Sequence, residues 1–249
     1  MHKETLDNAI AIVGQSCLLP GANSPEQLWE NIKQQKPAFT NRESQGISYK
    51  YGDVSGFKEL FNPNGFAVES SYVDKLDPLF QWGLHTAREA LCGAKLEDYA
   101  DVGVVLGNLS FPTPALCDLV RGELSPPATS QQTVHPHNRF MSGYPALLIK
   151  EALGLGGGAY CLDAACASGL YAIYNGINWL KSGQAKTVLA GAVNGADSLF
   201  IQKGFQALGA ISPSGEPKPF QKDADGLVPA SGAGFIAMCR LQDALERCC

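Results

Sequence analysis

The stretch from Cys166 to Ser182 sets the strongest limit on how this chain can fold. Leu170, Ile173, Ile177 and Leu180 recur at three- and four-residue spacing, and Gly183 follows, the pattern of a helix with a glycine stop. The other faces carry Tyr171, Ala172, Tyr174 and Trp179, and the one charge, Lys181, lies at the end. A helix apolar nearly all round is expected to be buried on all sides. The chain therefore needs layers of structure on both sides of it.

The flanking segments supply candidate layers. Ala159-Tyr-Cys-Leu-Asp163 and Thr187-Val-Leu-Ala-Gly-Ala-Val193 read as strands before and after that helix. Ala9–Gly14, Asp101–Gly107 and Gly232–Arg240 read as further strands, the last followed by a short helix over Leu241–Arg247. Ser24-Pro25-Glu26-Gln27 has the wording of a helix start, with Ser24 as cap, Pro25 in the first helical position and Gln27 closing a capping box. That helix would turn Leu28, Trp29 and Ile32 to a core. Leu79–Leu91 has helical spacing before Gly93, and Asn138–Leu153 is a helix closed by Gly154, with Gly143 and Pro145 disturbing its first turns. Residues 37–65 predict a long surface excursion, and the proline-rich residues 123–137 a loop. Strands alternating with helices imply an α/β protein with a mainly parallel sheet. No short-period repeat is visible.

Composition narrows the function classes. Apolar residues make up 45% and charged residues 17%, ordinary for a globular protein. No apolar run approaches the roughly 20 residues that span a bilayer. Met1–Asn8 has no apolar core of the signal-peptide kind, so a cytoplasmic protein without membrane contact is expected. The net charge is −5 without a basic cluster, which argues against nucleic acid as a partner. Eight cysteines are widely spaced and lack a C-x-x-C pair, so neither a disulfide scaffold nor a metal site is expected, and most should be small buried apolar residues. His135-Pro-His137 reads as solvated polar residues, Gly156-Gly-Gly158 as a turn and not a phosphate loop, and Asp223 and Asp225 as carboxylates fixing a turn.

The chemistry concentrates at Asp163-Ala-Ala-Cys166-Ala-Ser168-Gly-Leu170, a strand, tight turn and helix with cysteine in the turn. Its small residues allow a sharp bend and close approach of a substrate. A cysteine at a helix N-terminus has its sulfur near unpaired amides and the positive end of the helix dipole, which favours thiolate over thiol. The same amides could donate to an oxyanion when an acyl group is attacked. Three readings stand side by side: Cys166 as an acyl-accepting nucleophile, Cys166 as packing, and a hydrolase using Ser168 or Cys166. The last departs from Gly-x-Ser-x-Gly and would need His85, His135 or His137 beside the nucleophile.

The octapeptide resembles the active-site motif of the β-ketoacyl synthases, commonly Asp-Thr-Ala-Cys-Ser-Ser-Ser-Leu. The likeness continues in order through Ile10–Gly14, Pro20–Trp29, Asp77-Pro78, Val102–Gly107, Ser182–Asn194, Ile211–Gly215, Pro219-Phe220 and Asp223–Gly226. It is similar to the modular polyketide synthases and, by its wording, still more to the polyunsaturated fatty acid type. The resemblance implies an α/β, thiolase-like layered α-β-α-β-α fold of two similar halves, of which residues 1–249 would be the N-terminal domain with the C-terminal half absent. It implies an acyltransferase: a cysteine takes an acyl group from the phosphopantetheine of an acyl carrier protein, and a malonyl-type extender is decarboxylated and condensed onto it. Cys166 is the one catalytic residue carried over, with its own amide as an oxyanion donor. No bound cofactor is implied; the partners are acyl carrier protein, acyl and malonyl thioesters and a second copy in a homodimer. An acidic carrier would need a locally basic patch, for which Arg121, Arg139 and Lys150 are the candidates. The family's two extender-activating histidines belong to the C-terminal half, so the chain itself is expected to be incomplete for condensation. Ser231 stands where the family commonly has Glu. That departure keeps open an alternative, a non-catalytic partner subunit of the chain-length-factor kind.

Overall fold

The computed structural model describes residues 8–124, 135–139 and 142–247. In chain order its elements are β1 (Ile10–Leu18), α1 (Pro25–Lys33), β2 (Thr40–Ser44), β3 (Ile47–Tyr51), α2 (Phe57–Leu60), α3 (Ser70–Val73), α4 (Pro78–Gly93), β4 (Val102–Gly107), α5 (Pro114–Leu124), a 3-10 turn (Pro136–Arg139), α6 (Tyr144–Leu153), β5 (Ala159–Leu162), α7 (Ser168–Ser182), β6 (Thr187–Asn194), α8 (Ser198–Ala207), β7 (Gly232–Arg240) and α9 (Leu241–Arg247).

Five strands form one sheet in the order β1-β7-β6-β4-β5. β4 is parallel to both β5 and β6, whereas β7 is antiparallel to β6 and to β1. The expected mainly parallel sheet is thus a mixed one. The cause is the return of the chain after β6: Asn194, its last residue, pairs with Gly232, the first of β7, so the strand re-enters at the end where β6 left.

Each face of the sheet has its own core. On one, α4 and α6 bury Leu79, Phe80, Leu84, Leu91, Leu148 and Ile149. On the other, α7 lies over Val105, Val188, Ala190 and Met238 and contributes Ala172 and Leu180. Gly176 lets α7 lie this close: a Cβ there would stand 2.8 Å from Met238 Cε. The expectation that α7 is enclosed on all sides is overturned. Leu170, Tyr171 and Tyr174 are 73%, 53% and 60% exposed, because no described element lies over the face of α7 turned from the sheet. Three layers are present, α-β-α.

Local chemistry explains most boundaries. Ser24 Oγ accepts from Gln27 N at 3.2 Å with Pro25 in the first turn, as expected, although Gln27 Oε1 reaches back to Asn23 N. Trp29 and Ile32, expected in a core, are exposed, because α1 packs chiefly and thinly against β1, the edge strand of the sheet. The helix expected over Asn138–Leu153 is shorter: Gly143 caps α6, Pro145 takes its first turn, and Gly154 ends it in the left-handed region at φ 65. Residues 37–65 are more ordered than a surface excursion. They hold the β2–β3 hairpin, closed by Gln45 and Gly46 at positive φ, as a two-residue turn requires, with Tyr49 and Tyr51 buried. Of the loop expected over residues 123–137, the first two residues complete α5, residues 125–134 lie outside the described residues, and Pro136 and His137 enter the 3-10 turn. The helix α8 has no counterpart among the elements expected from the sequence; its signal is Asp197, whose Oδ1 accepts from Phe200 N at 2.8 Å. No described helix is long and apolar enough to cross a membrane.

Candidate active site

β4, β5 and β6 end side by side at Gly107, Leu162 and Asn194, and parallel strands gather ligands at their carboxyl ends. Cys166 stands just there, on the turn between β5 and α7. Its residue is exposed and borders an open cavity of about 630 Å³ together with Asn108, Gly191, Asn194, Ser231 and Phe235. The cavity wall is mainly apolar, suited to the hydrocarbon part of an acyl group.

The turn is held by its own side chains. Ala165 adopts φ 52, a left-handed conformation unusual for a residue with a Cβ. Asp163 Oδ1 accepts from Ala165 N at 2.9 Å, and Ser168 Oγ accepts from Ala164 N at 2.9 Å while donating to Ala165 O at 2.7 Å. Ala167 N and Ser168 N donate to Ala164 O and Ala165 O, each at 3.1 Å. Among the amides of residues 164–168, that of Cys166 has no hydrogen-bond acceptor among the described residues. Gly107, at the end of β4, seats the turn: a Cβ there would come within 2.7 Å of the Ser168 carbonyl carbon. The helix expected to begin at Cys166 begins instead at Ser168 with Ala167 as its cap, because the left-handed Ala165 delays the helical run. Cys166 therefore precedes the first helical turn.

Ser168, Cys17 and Cys161 are each held back by burial or hydrogen bonding. Ser168 is buried, and its hydroxyl is committed to the two backbone bonds just named. Cys17 borders the same cavity, but burial pushes its thiol up. Burial pushes the Cys161 thiol up to about 11, and its Sγ donates to Gly143 O at 3.5 Å. The expectation that most cysteines are buried holds for Cys17 and Cys239; Cys117 and Cys161 are half-buried, Cys92 and Cys166 are exposed, and Cys248 and Cys249 lie outside the described residues.

None of the described histidines borders the Cys166 cavity. His85 packs edge-on against Phe57 and Phe61. His135 and His137, read as solvated, are instead drawn into an aromatic cluster: Tyr72 Oη lies 2.6 Å from both His137 Nδ1 and Tyr144 Oη. Among the described residues the hydrolase reading has no imidazole to use at this site. No metal-ligating group of three or more such residues occurs among the described residues.

The remaining marks find structural work. Ser231 Oγ donates to Gly52 O and accepts from Val54 N, each at 3.3 Å, clipping the segment after β3 to the start of β7. Asp225 accepts from Ser212 Oγ at 2.6 Å and from Ser214 N at 3.2 Å, and Asp223 pairs with Lys218 at 2.9 Å, so both fix the loop before β7. Gly156 and Gly157 donate to Tyr99 O and Val102 O in a turn. Of the docking candidates, Arg121 pairs with Asp118, Lys150 is half-buried on α6, and the Arg139 side chain lies outside the described residues. Sequence reasoning passed over Asn108 and Asn194. Their signal was an asparagine ending or following an apolar strand, and both border the cavity; Asn194 Nδ2 donates to Ala230 O at 2.7 Å and Asn108 Oδ1 accepts from Ser110 N at 3.2 Å.

Comparison with known proteins gives the family and the fold. Residues 7–244 match the family model of the β-ketoacyl synthase N-terminal domain. The chain is 30% identical over 245 residues to the non-reducing polyketide synthase subA of Metarhizium robertsii, covering 96% of this chain and 10% of that protein. It is 28% identical over 255 residues to the methylphloroacetophenone synthase of Cladonia uncialis, covering 96% and 10%. Among solved structures it resembles the PfaC keto synthase-chain length factor, with TM-score 0.84, 31% identity and coverage of 96% of this chain and 30% of that one. It also resembles the ketosynthase from module 6 of the bacillaene synthase of Bacillus subtilis 168, with TM-score 0.77, 26% identity and coverage of 96% and 40%. The chain thus spans a minor part of each of these proteins.

Proposed function

Because this chain belongs to the β-ketoacyl synthase N-terminal domain family, we propose that it carries the acyl-accepting nucleophile of a decarboxylative condensation, Cys166, in fatty acid or polyketide synthesis. The observation that carries this reading is an exposed cysteine on a strained strand-to-helix turn, beside an apolar cavity and with no acceptor for its own amide among the described residues. In the first stage the Cys166 sulfur attacks the carbonyl of an acyl thioester. The Cys166 amide donates to the oxyanion of the tetrahedral intermediate, which collapses to an acyl-cysteine and releases the carrier's thiol. In the second stage a malonyl-type thioester loses carbon dioxide, and its carbanion forms the new carbon–carbon bond at the acyl-cysteine carbonyl, expelling the Cys166 thiolate.

The second stage needs groups that stabilise the carbanion and its enolate oxygen, and no described histidine lies in the cavity to do so. We place them in a C-terminal half that would cover the exposed face of α7 and complete the five-layered α-β-α-β-α fold. In this reading residues 1–249 carry the acyl-transfer stage. Phosphopantetheine on an acyl carrier protein delivers the substrates, the working enzyme is a homodimer, and its compartment is the cytoplasm.

The test is intact-mass analysis after incubation with a short acyl thioester of N-acetylcysteamine, followed by peptide mapping. The expected result is one acyl group on Cys166, absent from Cys166→Ala. Acylation confined to other cysteines would remove the catalytic role.

Ser231 in the usual place of Glu, and the likeness to a keto synthase-chain length factor, favour one second reading: a partner protein that shapes the site without reacting. Product formation by the synthase bearing this domain separates the two. Abolition by Cys166→Ala supports the catalytic reading, and unchanged product supports the non-reacting partner.

A further inference from the structure

Taking Cys166 as the nucleophile, we propose that Ser168 and Asp163 are positioning residues whose side chains hold the Cys166 amide ready to donate to the reacting carbonyl oxygen.

The amides of the turn are unequally occupied. A run of five small residues entering a helix has more N–H donors than carbonyl acceptors within reach, and an unbonded donor tends to be taken by the nearest oxygen. Here the two amides before Cys166 are taken by side chains: Ala164 N by Ser168 Oγ and Ala165 N by Asp163 Oδ1, both at 2.9 Å. The two after it are taken by backbone, Ala167 N by Ala164 O and Ser168 N by Ala165 O. The amide left over among the described residues of the turn is that of the reactive residue itself.

The same two side chains hold the conformation that makes this possible. Ala165 at φ 52 is in the left-handed region, where a Cβ crowds the following carbonyl oxygen, so it needs other contacts to hold it there. The two peptide units that flank it are held one by each side chain: Asp163 Oδ1 accepts from Ala165 N, and Ser168 Oγ donates to Ala165 O at 2.7 Å while accepting from Ala164 N one unit earlier. Ser168 is itself only 5% exposed and is pressed against β4, where a Cβ on Gly107 would come within 2.9 Å of Ser168 Cβ. The clamp is therefore anchored to the sheet. Asp163 is exposed and braces the turn from the solvent side. Without these bonds Ala165 would relax towards right-handed backbone and turn the Cys166 peptide plane with it.

Two reactions of the same sulfur separate this role from a merely structural one. Acylation by a thioester passes through an oxyanion and uses the amide; alkylation by iodoacetamide is a direct displacement at carbon and does not. Cys92, exposed on α4, serves as an internal standard within the same molecule. Ser168→Ala is expected to lower the rate of Cys166 acylation about tenfold or more, part of the roughly 100- to 1,000-fold that outright loss of one oxyanion donor costs, while Cys166 alkylation relative to Cys92 changes far less. Asp163→Ala should give a smaller fall in the same ratio, and Asp163→Asn, which keeps an Oδ1 acceptor, should recover it. If acylation and alkylation of Cys166 fall together in both alanine variants, or neither falls, the positioning role is overturned. Should Ser168→Ala not fold, the exposed Asp163 pair decides alone. Absence of acylation at Cys166 in the unsubstituted chain would instead strike the nucleophile reading, whatever the variants do.

Discussion

Helices α4 and α7 cover opposite faces of one sheet, and they meet their surroundings in different ways. α4 buries a broad face, from Leu79 and Phe80 through Leu84, Ala87, Ala90 and Leu91, and even His85 on its far side is covered by Phe57 and Phe61. α7 buries a single stripe, Ser168, Ala172, Gly176 and Leu180, spaced four apart. The stripe is made mostly of small residues, so the helix lies close to the sheet, and the large side chains Leu170, Tyr171 and Tyr174 point away from it. As a layer, then, α4 is finished and α7 is not. Stability of this chain rests on the α4 side. The proposed chemistry lies on the α7 side, where the Cys166 turn leads into the helix.

The severest test of that division is a cavity in the finished layer. Leu84 is wholly buried, and Leu84→Ala is expected to cost about 2–5 kcal/mol, read as a lowered midpoint of urea unfolding. A loss well under 1 kcal/mol would mean the α4 layer does not carry the fold. Next in size is Gly176→Val in the α7 stripe. Its Cβ would begin 2.8 Å from Met238 Cε and 3.0 Å from Val188 Cγ1, and overpacking of this kind costs about 1–3 kcal/mol. Because lifting α7 moves the start of the helix, alkylation of Cys166 should change relative to Cys92, whereas in Leu84→Ala, measured well below its unfolding midpoint, the ratio should hold. Equal shifts in both variants would dissolve the distinction between the two sides.

A smaller effect depends on pH and belongs to the α4 side. Burial holds the His85 imidazole below its ordinary value of 6.5, with Glu89 opposing and Arg88 adding to the shift. The folded state then binds fewer protons than the unfolded one just below that value, so the contribution to stability is full above 6.5 and is lost as pH falls from there towards the folded value. Urea midpoints should therefore drop between about pH 7.5 and about pH 5.5. His85→Phe, which keeps a ring against Phe57 and Phe61, should flatten that slope. An unchanged slope would place the pH dependence elsewhere.

The two sides were also unequally legible in the sequence. The Cys166 turn announced itself because strand, small-residue turn and glycine-stopped helix follow one another with no long-range information needed, and Gly183 at φ 74 ends α7 where its spacing said. The one-sided burial of α7 is not legible in its sequence, because apolar periodicity reports what a helix can bury, not what stands over it. The failure at Trp29 and Ile32 has the same origin, since packing against an edge strand shields only a flank. The antiparallel β7 was hidden because strand direction depends on where a long connection returns, which local pattern does not encode. Within the site, the exceptional amide of Cys166 follows from Ala165 being left-handed, and nothing in Asp-Ala-Ala-Cys marks that residue in advance.

The weakest effect on this chain bears most directly on the unfinished layer. Leu170 and Tyr174 together represent substantial apolar surface, and at full burial each would contribute about 1.5–3 kcal/mol. At 73% and 60% exposure in this chain most of that is unrealised, so Leu170→Ser with Tyr174→Ser should shift stability by about 0.5 kcal/mol or less. In a longer protein that carries the proposed covering half the same pair should behave differently, because that half would bury both side chains and the substitutions would cut into its contact with α7. Thermal unfolding of this chain and of the longer protein, each with and without the two substitutions, reads the contrast directly. A large loss in the chain alone would show that the outer face of α7 is already covered there, by self-association or by residues outside those described. A negligible loss in both would mean that no second half lies on α7.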